Sequence, residues 1–192
     1  MTENYKINDF ELETNKKLSN KALSYVARFE TTTGKLKIVL EKFAKNNLPE
    51  VSNEIISNQI AEVILKCERL NYINNKSFIK NKIQYFLKKG LSMKVIENKL
   101  KDYHVDLETL QNILQTYYEQ DINLELRSAI YLAKRKRIGP YTNRKNQKEK
   151  NILFQRWMGI FSRAGFNYEI SKRILLSKSP EEVENILSDF DK

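Results

Sequence analysis

Apolar residues recur every three or four positions along most of the chain, and short polar stretches separate these periodic runs. This spacing places apolar side chains on one face of a helix, whereas a half-buried strand would alternate apolar and polar residues. No window sustains such alternation, so the sequence predicts helices throughout and an all-α fold. The predicted helices carry these apolar sets: Ala22, Val26 and Phe29; Leu36, Val39, Leu40 and Phe43; Ile56, Ile60, Val63, Ile64 and Cys67; Ile79, Ile83, Phe86 and Leu87; Met93, Ile96 and Leu100; Leu107, Leu110, Ile113, Leu114 and Tyr117; Leu126, Ala129, Ile130 and Ala133; Leu153, Trp157, Ile160 and Phe161; and Ile170, Ile174 and Leu175.

The joints between these runs carry residues that end or begin helices. Gly90 suits a C-terminal cap, and Ser92 and Asp106 suit the N-caps of the helices that follow them. Gly139 and the proline after it stop another helix. The stretch Ser179–Glu182 combines a capping serine, a proline at the first helical position and a glutamate three residues after the serine, which is typical of the start of a last helix.

The order of the apolar sets also repeats along the chain. At an offset of 57 residues Leu36 aligns with Met93, and at an offset of 61 residues Ile96 aligns with Trp157. Two such matches in order favour three tandem three-helix repeats that form an elongated, curved helical array. The predicted boundaries are a flexible, loosely ordered N-terminal tail over 1–18 and repeats over 19–73, 74–120 and 121–192.

Positive charge is concentrated in one segment of the third predicted repeat. The formal net charge is +10, and segment 134–163 contains ten basic residues against a single acid, Glu149, while the chain from Ser177 onward is acidic. Complementing a helix C-terminus takes only one or two cations, so this density favours a surface that binds a polyanionic or acidic partner. The predicted surface comprises Lys134, Arg135, Lys136, Arg137, Arg144, Lys145, Lys148, Arg156 and Arg163.

Two details of this segment leave alternatives open. Lys134 and Arg137 continue the apolar line of their helix, so either their side chains reach out from the edge of the core or the helix projects beyond the core toward a partner. Trp157 lies on an apolar stripe and is expected to pack in the core. Tyr141 is therefore the one candidate in this segment for stacking on a single-stranded base.

The composition argues against an enzyme and against a bound cofactor or metal. A lone Cys67 closes no intramolecular disulfide, and with His104 it cannot supply the four ligands of a structural zinc. His104 lies in a polar stretch predicted as a turn between helices, and the five glycines form no phosphate-binding loop. Since no apolar run approaches ~18 residues and the N-terminus lacks the order of a signal peptide, we expect a cytoplasmic protein that does not enter a membrane.

Four segments resemble the bacterial RecX family of recombination regulators, over about residues 19–176. The segments are Ala22–Phe29 (ALSYVARF), Leu70–Phe78 (LNYINNKSF), Ala133–Tyr141 (AKRKRIGPY) and Phe161–Leu175 (FSRAGFNYEISKRIL), of which the last two are the most specific. The chain departs from the family pattern at Thr32–Leu36, where the family has Ser-Arg-x-Glu-Leu, and at Asn74-Asn75, where the family has an acidic pair.

The resemblance implies a fold of tandem three-helix repeats and a regulatory role without catalysis. The family binds the RecA recombinase, lodges in the groove of the RecA filament on single-stranded DNA, and damps strand exchange and ATP hydrolysis. The leading hypothesis is therefore a monomeric regulator of RecA in recombination, DNA repair and the SOS response, with single-stranded DNA as a second candidate contact. The alternative is a direct DNA-binding protein of the helix-turn-helix type, because three-helix units resemble those modules.

Overall fold

The computed structural model describes residues 2–143 and 147–188, with side chains over 11–143 and 153–186. Within these ranges the chain forms helices and no strand, which confirms the predicted all-α class. None of the described helices combines the length and apolar character needed to cross a membrane. The helices are α1 (Thr2–Val26), α2 (Thr33–Asn47), α3 (Asn53–Arg69), α4 (Asn75–Lys88), α5 (Met93–Lys101), α6 (Leu107–Gln120), α7 (Leu124–Lys136), a 3₁₀ turn (Gly139–Tyr141), α8 (Gln147–Arg163), α9 (Tyr168–Leu176) and α10 (Pro180–Ser188).

The described helices divide between two compact units whose limits cut through α4, the last residue of α5, and α6. The first unit takes the chain through Ile79 together with Lys101–Thr109, and the second takes Lys80–Leu100 and the chain from Leu110 onward. In the first unit α1, α2 and α3 pack on one another around a common apolar core. Its most deeply buried members are Leu18, Ala22, Leu36, Leu40 and Ile60, each at most 1% exposed.

The N-terminal region differs from the loosely ordered tail that the sequence predicts for residues 1–18. Helix α1 begins at Thr2, and Thr14 and Leu18 are 2% and 0% exposed. The prediction is therefore wrong for residues 11–18. The apolar side chains of residues 11–18 are too sparse to form a clear stripe in the sequence, yet Leu18 packs in the core. On the exposed face of α1, Lys17 pairs with Glu13 four residues earlier at 2.8 Å, which supports the helix.

The second unit has its core between α7, α8, α9 and α10. Ala129, Phe161, Ile174 and Val183 are fully buried there, one from each of the four helices. Trp157 is 7% exposed within the same cluster, which confirms its predicted packing role. It is also the sole tryptophan of the chain, so its fluorescence reports specifically on unfolding of this unit.

Most predicted caps are present. Three residues differ from the prediction: one belongs to a cap and two belong to apolar stripes. Ser92, Asp106 and Ser179 accept hydrogen bonds from the N–H groups three residues later, as N-caps do. The carboxylate of Glu182 reaches the N–H of Lys178 rather than that of Ser179. Phe29 and Leu107, predicted on apolar stripes, are 53% and 59% exposed because α1 ends at Val26 and Leu107 only opens its helix.

The end of α4 lies directly against α7 within the second unit. Gly90 has a left-handed backbone with φ +70°, and a Cβ atom there would come within 2.6 Å of the Leu132 nitrogen. The Ser128 hydroxyl donates to the carbonyls of Leu87 and Leu91 at 3.3 and 2.8 Å. The Leu87 carbonyl also accepts from the Gly90 N–H at 2.8 Å, so the shorter bond of Ser128, to the Leu91 carbonyl, is the one that adds a partner to this turn.

This contact predicts that Gly90→Ala destabilises the second unit by at least about 2 kcal/mol. An alanine in the left-handed region costs roughly 1–2 kcal/mol, and its methyl group would have to displace the backbone of α7. Urea unfolding followed by Trp157 fluorescence measures the change.

The matched control is Gly159→Ala, in the interior of α8. A Cβ at Gly159 meets only the tip of the flexible Arg163 side chain, at 3.4 Å. Because alanine is the better helix former, this change is expected to stabilise by about 0.5–1 kcal/mol. Equal effects of the two substitutions would contradict the assigned contact.

Glu125 ties the start of α7 to the start of α5. Its carboxylate accepts a hydrogen bond from the Met93 N–H at 2.8 Å, which caps α5 from outside the helix. Burial raises the pKa of the Glu125 carboxyl above its usual range, and the Met93 N–H opposes this only in part. A carboxyl whose pKa is raised in the folded state lowers stability when ionised, so its penalty is present near neutral pH and is relieved as the pH falls through the folded pKa.

We therefore expect Glu125→Gln to be at least as stable as the parent at pH 7, with the difference shrinking toward pH 4.5. The amide oxygen keeps the bond to Met93 and carries no charge. Glu125→Ala removes the acceptor and should cost about 1 kcal/mol. Urea unfolding of the three proteins at several pH values tests this, and a marked loss of stability in Glu125→Gln at pH 7 would contradict it.

Candidate binding surface

The basic residues at the end of α7 form one exposed cluster. Lys134, Arg135 and Lys136 occupy its last turn, and Arg137 is the C-cap with a left-handed backbone at φ 52°. All four side chains are exposed, whereas the neighbouring Ala133 and Ile138 are 0% and 5% exposed. The residues on both sides of the cluster are therefore packed in the core. This supports the first of the two interpretations, in which the cationic side chains reach out from the core edge.

Lys134 is engaged by the acidic terminal helix α10. Its Nζ lies 2.9 Å from a carboxylate oxygen of Glu184, and both side chains are about half exposed. The hydrogen bond that Lys134 donates to Glu184 raises the pKa of Lys134 above its usual range, so Lys134 stays charged at every physiological pH. The structure thus places a negative charge against one member of the predicted basic surface.

Tyr141 differs from the exposed stacking residue that the sequence predicts. Its ring packs against the core of the second unit, and its hydroxyl is buried without a hydrogen-bond partner among the described residues. Lys134 Nζ lies 5.6 Å from the ring centroid, and burial raises the pKa of the Tyr141 hydroxyl. The 3₁₀ turn over Gly139–Tyr141 carries the ring toward the core, so the stacking prediction for Tyr141 is wrong.

Two further predicted residues lie on α8. Arg156 and Arg163 are exposed, and seven residues of helix place them on the same face, next to the stripe of the buried Trp157. They form a second group, on a different helix from the cluster at the end of α7. Arg144 and Lys145 lie outside the described residues, and so does the side chain of Lys148.

The structure adds lysines of α4 that the sequence analysis did not select. Because Gly90 touches Leu132, the exposed Lys88 and Lys89 lie beside the last turns of α7. A signal for them exists in the sequence: residues 74–91 contain five lysines and no acid. The sequence alone does not connect these lysines to the basic cluster at the end of α7, which lies more than forty residues later in the chain. The contact between the two helices makes that connection.

The described residues offer little for small-molecule chemistry at this surface. No group of three or more His, Cys, Asp or Glu side chains within them could hold a metal ion. The main grooves have volumes of about 580 Å³ in the first unit and about 550 Å³ in the second, and their linings contain none of the predicted basic residues. The basic surface is charged and lies outside these grooves, which suits a macromolecular partner.

Comparison with solved structures identifies a similar protein over nearly the whole chain. RecX from Lactobacillus salivarius matches with a TM-score of 0.56 and 20% sequence identity, covering 91% of this chain and 99% of that chain. This chain has a RecX-like fold. No protein-family model and no curated protein matches the sequence. The RecX-like fold agrees with the resemblance carried by the four sequence segments, and the boundaries of the three repeats stay a prediction.

The Lys134–Glu184 pair predicts how this surface responds to losing an acid. Glu184→Gln should elute from a heparin column at higher salt than Glu54→Gln, an equal change of charge on the exposed start of α3. Only the first change also releases Lys134. Stability should change by less than about 1 kcal/mol, since exposed ion pairs contribute little. Identical elution of the two variants would show that the pair does not shield the surface.

Proposed function

We propose that the protein binds RecA and RecA–single-stranded DNA filaments and inhibits their strand-exchange and ATPase activities, thereby tuning recombination and DNA repair. The observation that carries this proposal is the RecX-like fold over 91% of the chain. The exposed basic cluster at the end of α7 lies within one of the two segments whose sequence most specifically resembles the RecX family.

The distribution of charge supports a filament as the partner. Lys134–Arg137 form a helix end, and Arg156 and Arg163 lie on a second helix. Lys88 is the last residue of a third helix, and Lys89 follows it. A reader of duplex sequence concentrates Arg, Asn or Gln on one recognition helix that enters the major groove. Cations spread over several helix ends suit a broad acidic or phosphate-bearing surface instead, which a nucleoprotein filament provides.

The proposal is tested by adding the protein to RecA on single-stranded DNA. We expect ATP hydrolysis and strand exchange to fall as the protein is titrated, with inhibition evident well below one molecule per RecA subunit. Measuring binding to duplex DNA with and without RecA separates this function from the helix-turn-helix alternative, which predicts duplex binding that needs no RecA. An unchanged RecA ATPase across the titration would contradict the proposed function.

A variant assigns the effect to the basic surface. Changing Lys134, Arg135, Arg137 and Arg144 together to Ala should weaken filament binding and flatten its dependence on salt, because fewer ionic contacts form. The matched control changes Lys42, Lys45, Lys66 and Arg69 to Ala, which removes four exposed cations from the first unit. Equal losses would show that net charge, and not this surface, governs the binding.

A further inference from the structure

The contact between α4 and α7 creates a surface of cations and tyrosines within the second unit. We name it the α4–α7 surface and define it by Tyr85, Lys88, Lys89, Tyr131 and Arg135. We propose that this surface binds single-stranded DNA directly, with its cations on the phosphates and its two tyrosine rings stacked on bases. The proposal deepens the proposed function by giving the protein its own DNA contact, and its test uses DNA without RecA.

The first support is the closeness of the two helices. A Cβ on Gly90 would lie 2.7 Å from the Leu132 Cα, so the two backbones touch. Lys89 precedes Gly90 in the chain, and Tyr131 precedes Leu132. Because consecutive Cα atoms are 3.80 Å apart, the Cα atoms of Lys89 and Tyr131 are within about 12 Å of one another. Ser128 fixes this arrangement through its bonds to the Leu87 and Leu91 carbonyls.

The second support is the exposure of the aromatic rings. Tyr85 and Tyr131 are each 53% exposed, although a large apolar ring gains by burial. Tyr85 packs edge-to-face on Phe86 with ring centroids 5.3 Å apart, which steadies the ring from one side. Tyr131 lies close enough to Lys134 for its hydroxyl to contribute to the raised pKa of that lysine. Each ring therefore presents open area next to a cation.

The third support is the sign of the charge around the rings. Lys89 Nζ lies 5.2 Å from the Tyr85 ring centroid, and Lys88 is the neighbouring exposed cation. On α7, Arg135 is one helical turn beyond Tyr131 and is also exposed. No acid occurs between residues 74 and 91, and the Glu125 carboxylate, in the first turn of α7, accepts from the Met93 N–H. Glu184 of α10 pairs with Lys134, which is not part of the α4–α7 surface.

Alternating rings and cations match the chemistry of a single strand. Proteins that bind single strands combine a positive track for the backbone with aromatic side chains that stack on successive bases. Bases in a duplex are already stacked on each other, so their faces are closed to tyrosine rings. Phosphate contacts alone would serve a duplex equally well, and the rings therefore decide in favour of the single strand.

The test measures binding of a fluorescently labelled 20-mer of deoxythymidine by anisotropy, using the full chain and no RecA. Changing Tyr85 and Tyr131 together to Ala should weaken binding at least about tenfold, since each stacked base contributes roughly 1–3 kcal/mol. Changing Lys88 and Lys89 together to Gln should reduce the slope of log affinity against log salt by about 1.4, at ~0.7 for each single-strand phosphate contact. Changing both tyrosines to Phe should retain binding, because stacking needs the ring and not the hydroxyl.

The matched control is Tyr168→Ala in the same unit. Tyr168 is 56% exposed and has Lys172 four residues later at 5.5 Å from its ring, which repeats the Tyr85–Lys89 arrangement on α9, a helix that is not part of the α4–α7 surface. This change should alter affinity less than about twofold. Equal losses from Tyr168 and the double tyrosine variant, no loss from the latter, or tighter binding of a 20-base-pair duplex would each overturn the proposal. Unchanged circular dichroism and Trp157 fluorescence establish that the variants are folded, and RecA inhibition without DNA binding would overturn this proposal alone.

Discussion

The second unit depends on a contact that has almost no side chain in it. Gly90 brings the turn after α4 onto the backbone of α7, and the Ser128 hydroxyl donates to the Leu87 and Leu91 carbonyls on either side of it. The turn that follows directs Ser92 toward the joint after α8, where its N–H donates to the Ala164 carbonyl at 2.9 Å. The Met93 N–H then meets Glu125. One close approach between two helices thus fixes where α5, α7 and α8 meet.

The same contact determines which charges can act together. Ten basic residues between Lys134 and Arg163 account for most of the excess charge of the chain, but the structure separates the described ones into a cluster at the end of α7 and a pair on α8. It then adds Lys88 and Lys89 to the first of these groups. Glu184 reduces the effective charge of that cluster by pairing with Lys134. The strength of the surface is therefore set by tertiary contacts as much as by composition.

Residues whose role depends on local pattern were predictable, and those whose role depends on a distant partner were not. Ser92, Asp106 and Trp157 have the positions that capping geometry and helical periodicity require. Tyr141 was the stacking candidate because Trp157 was expected in the core, yet the ring of Tyr141 packs against the same core. Lys88 and Lys89 gain significance only through Leu132, forty residues later, and no period in the sequence encodes that contact.

The departures from the RecX family pattern have a structural account within the first unit. Thr32 caps α2 by accepting from the Lys35 N–H at 3.1 Å, and its hydroxyl donates to the Tyr103 carbonyl. Thr33 exchanges two hydrogen bonds with Asn75, at 3.0 and 2.8 Å, so a residue of each departing motif contacts the other. An aspartate in place of Asn75 could still accept from the Thr33 N–H but could not donate to the Thr33 hydroxyl, which would then have to act as the donor. The two departures are therefore joined by hydrogen bonds within the first unit, whereas the residues that carry the proposed binding surfaces belong to the second unit.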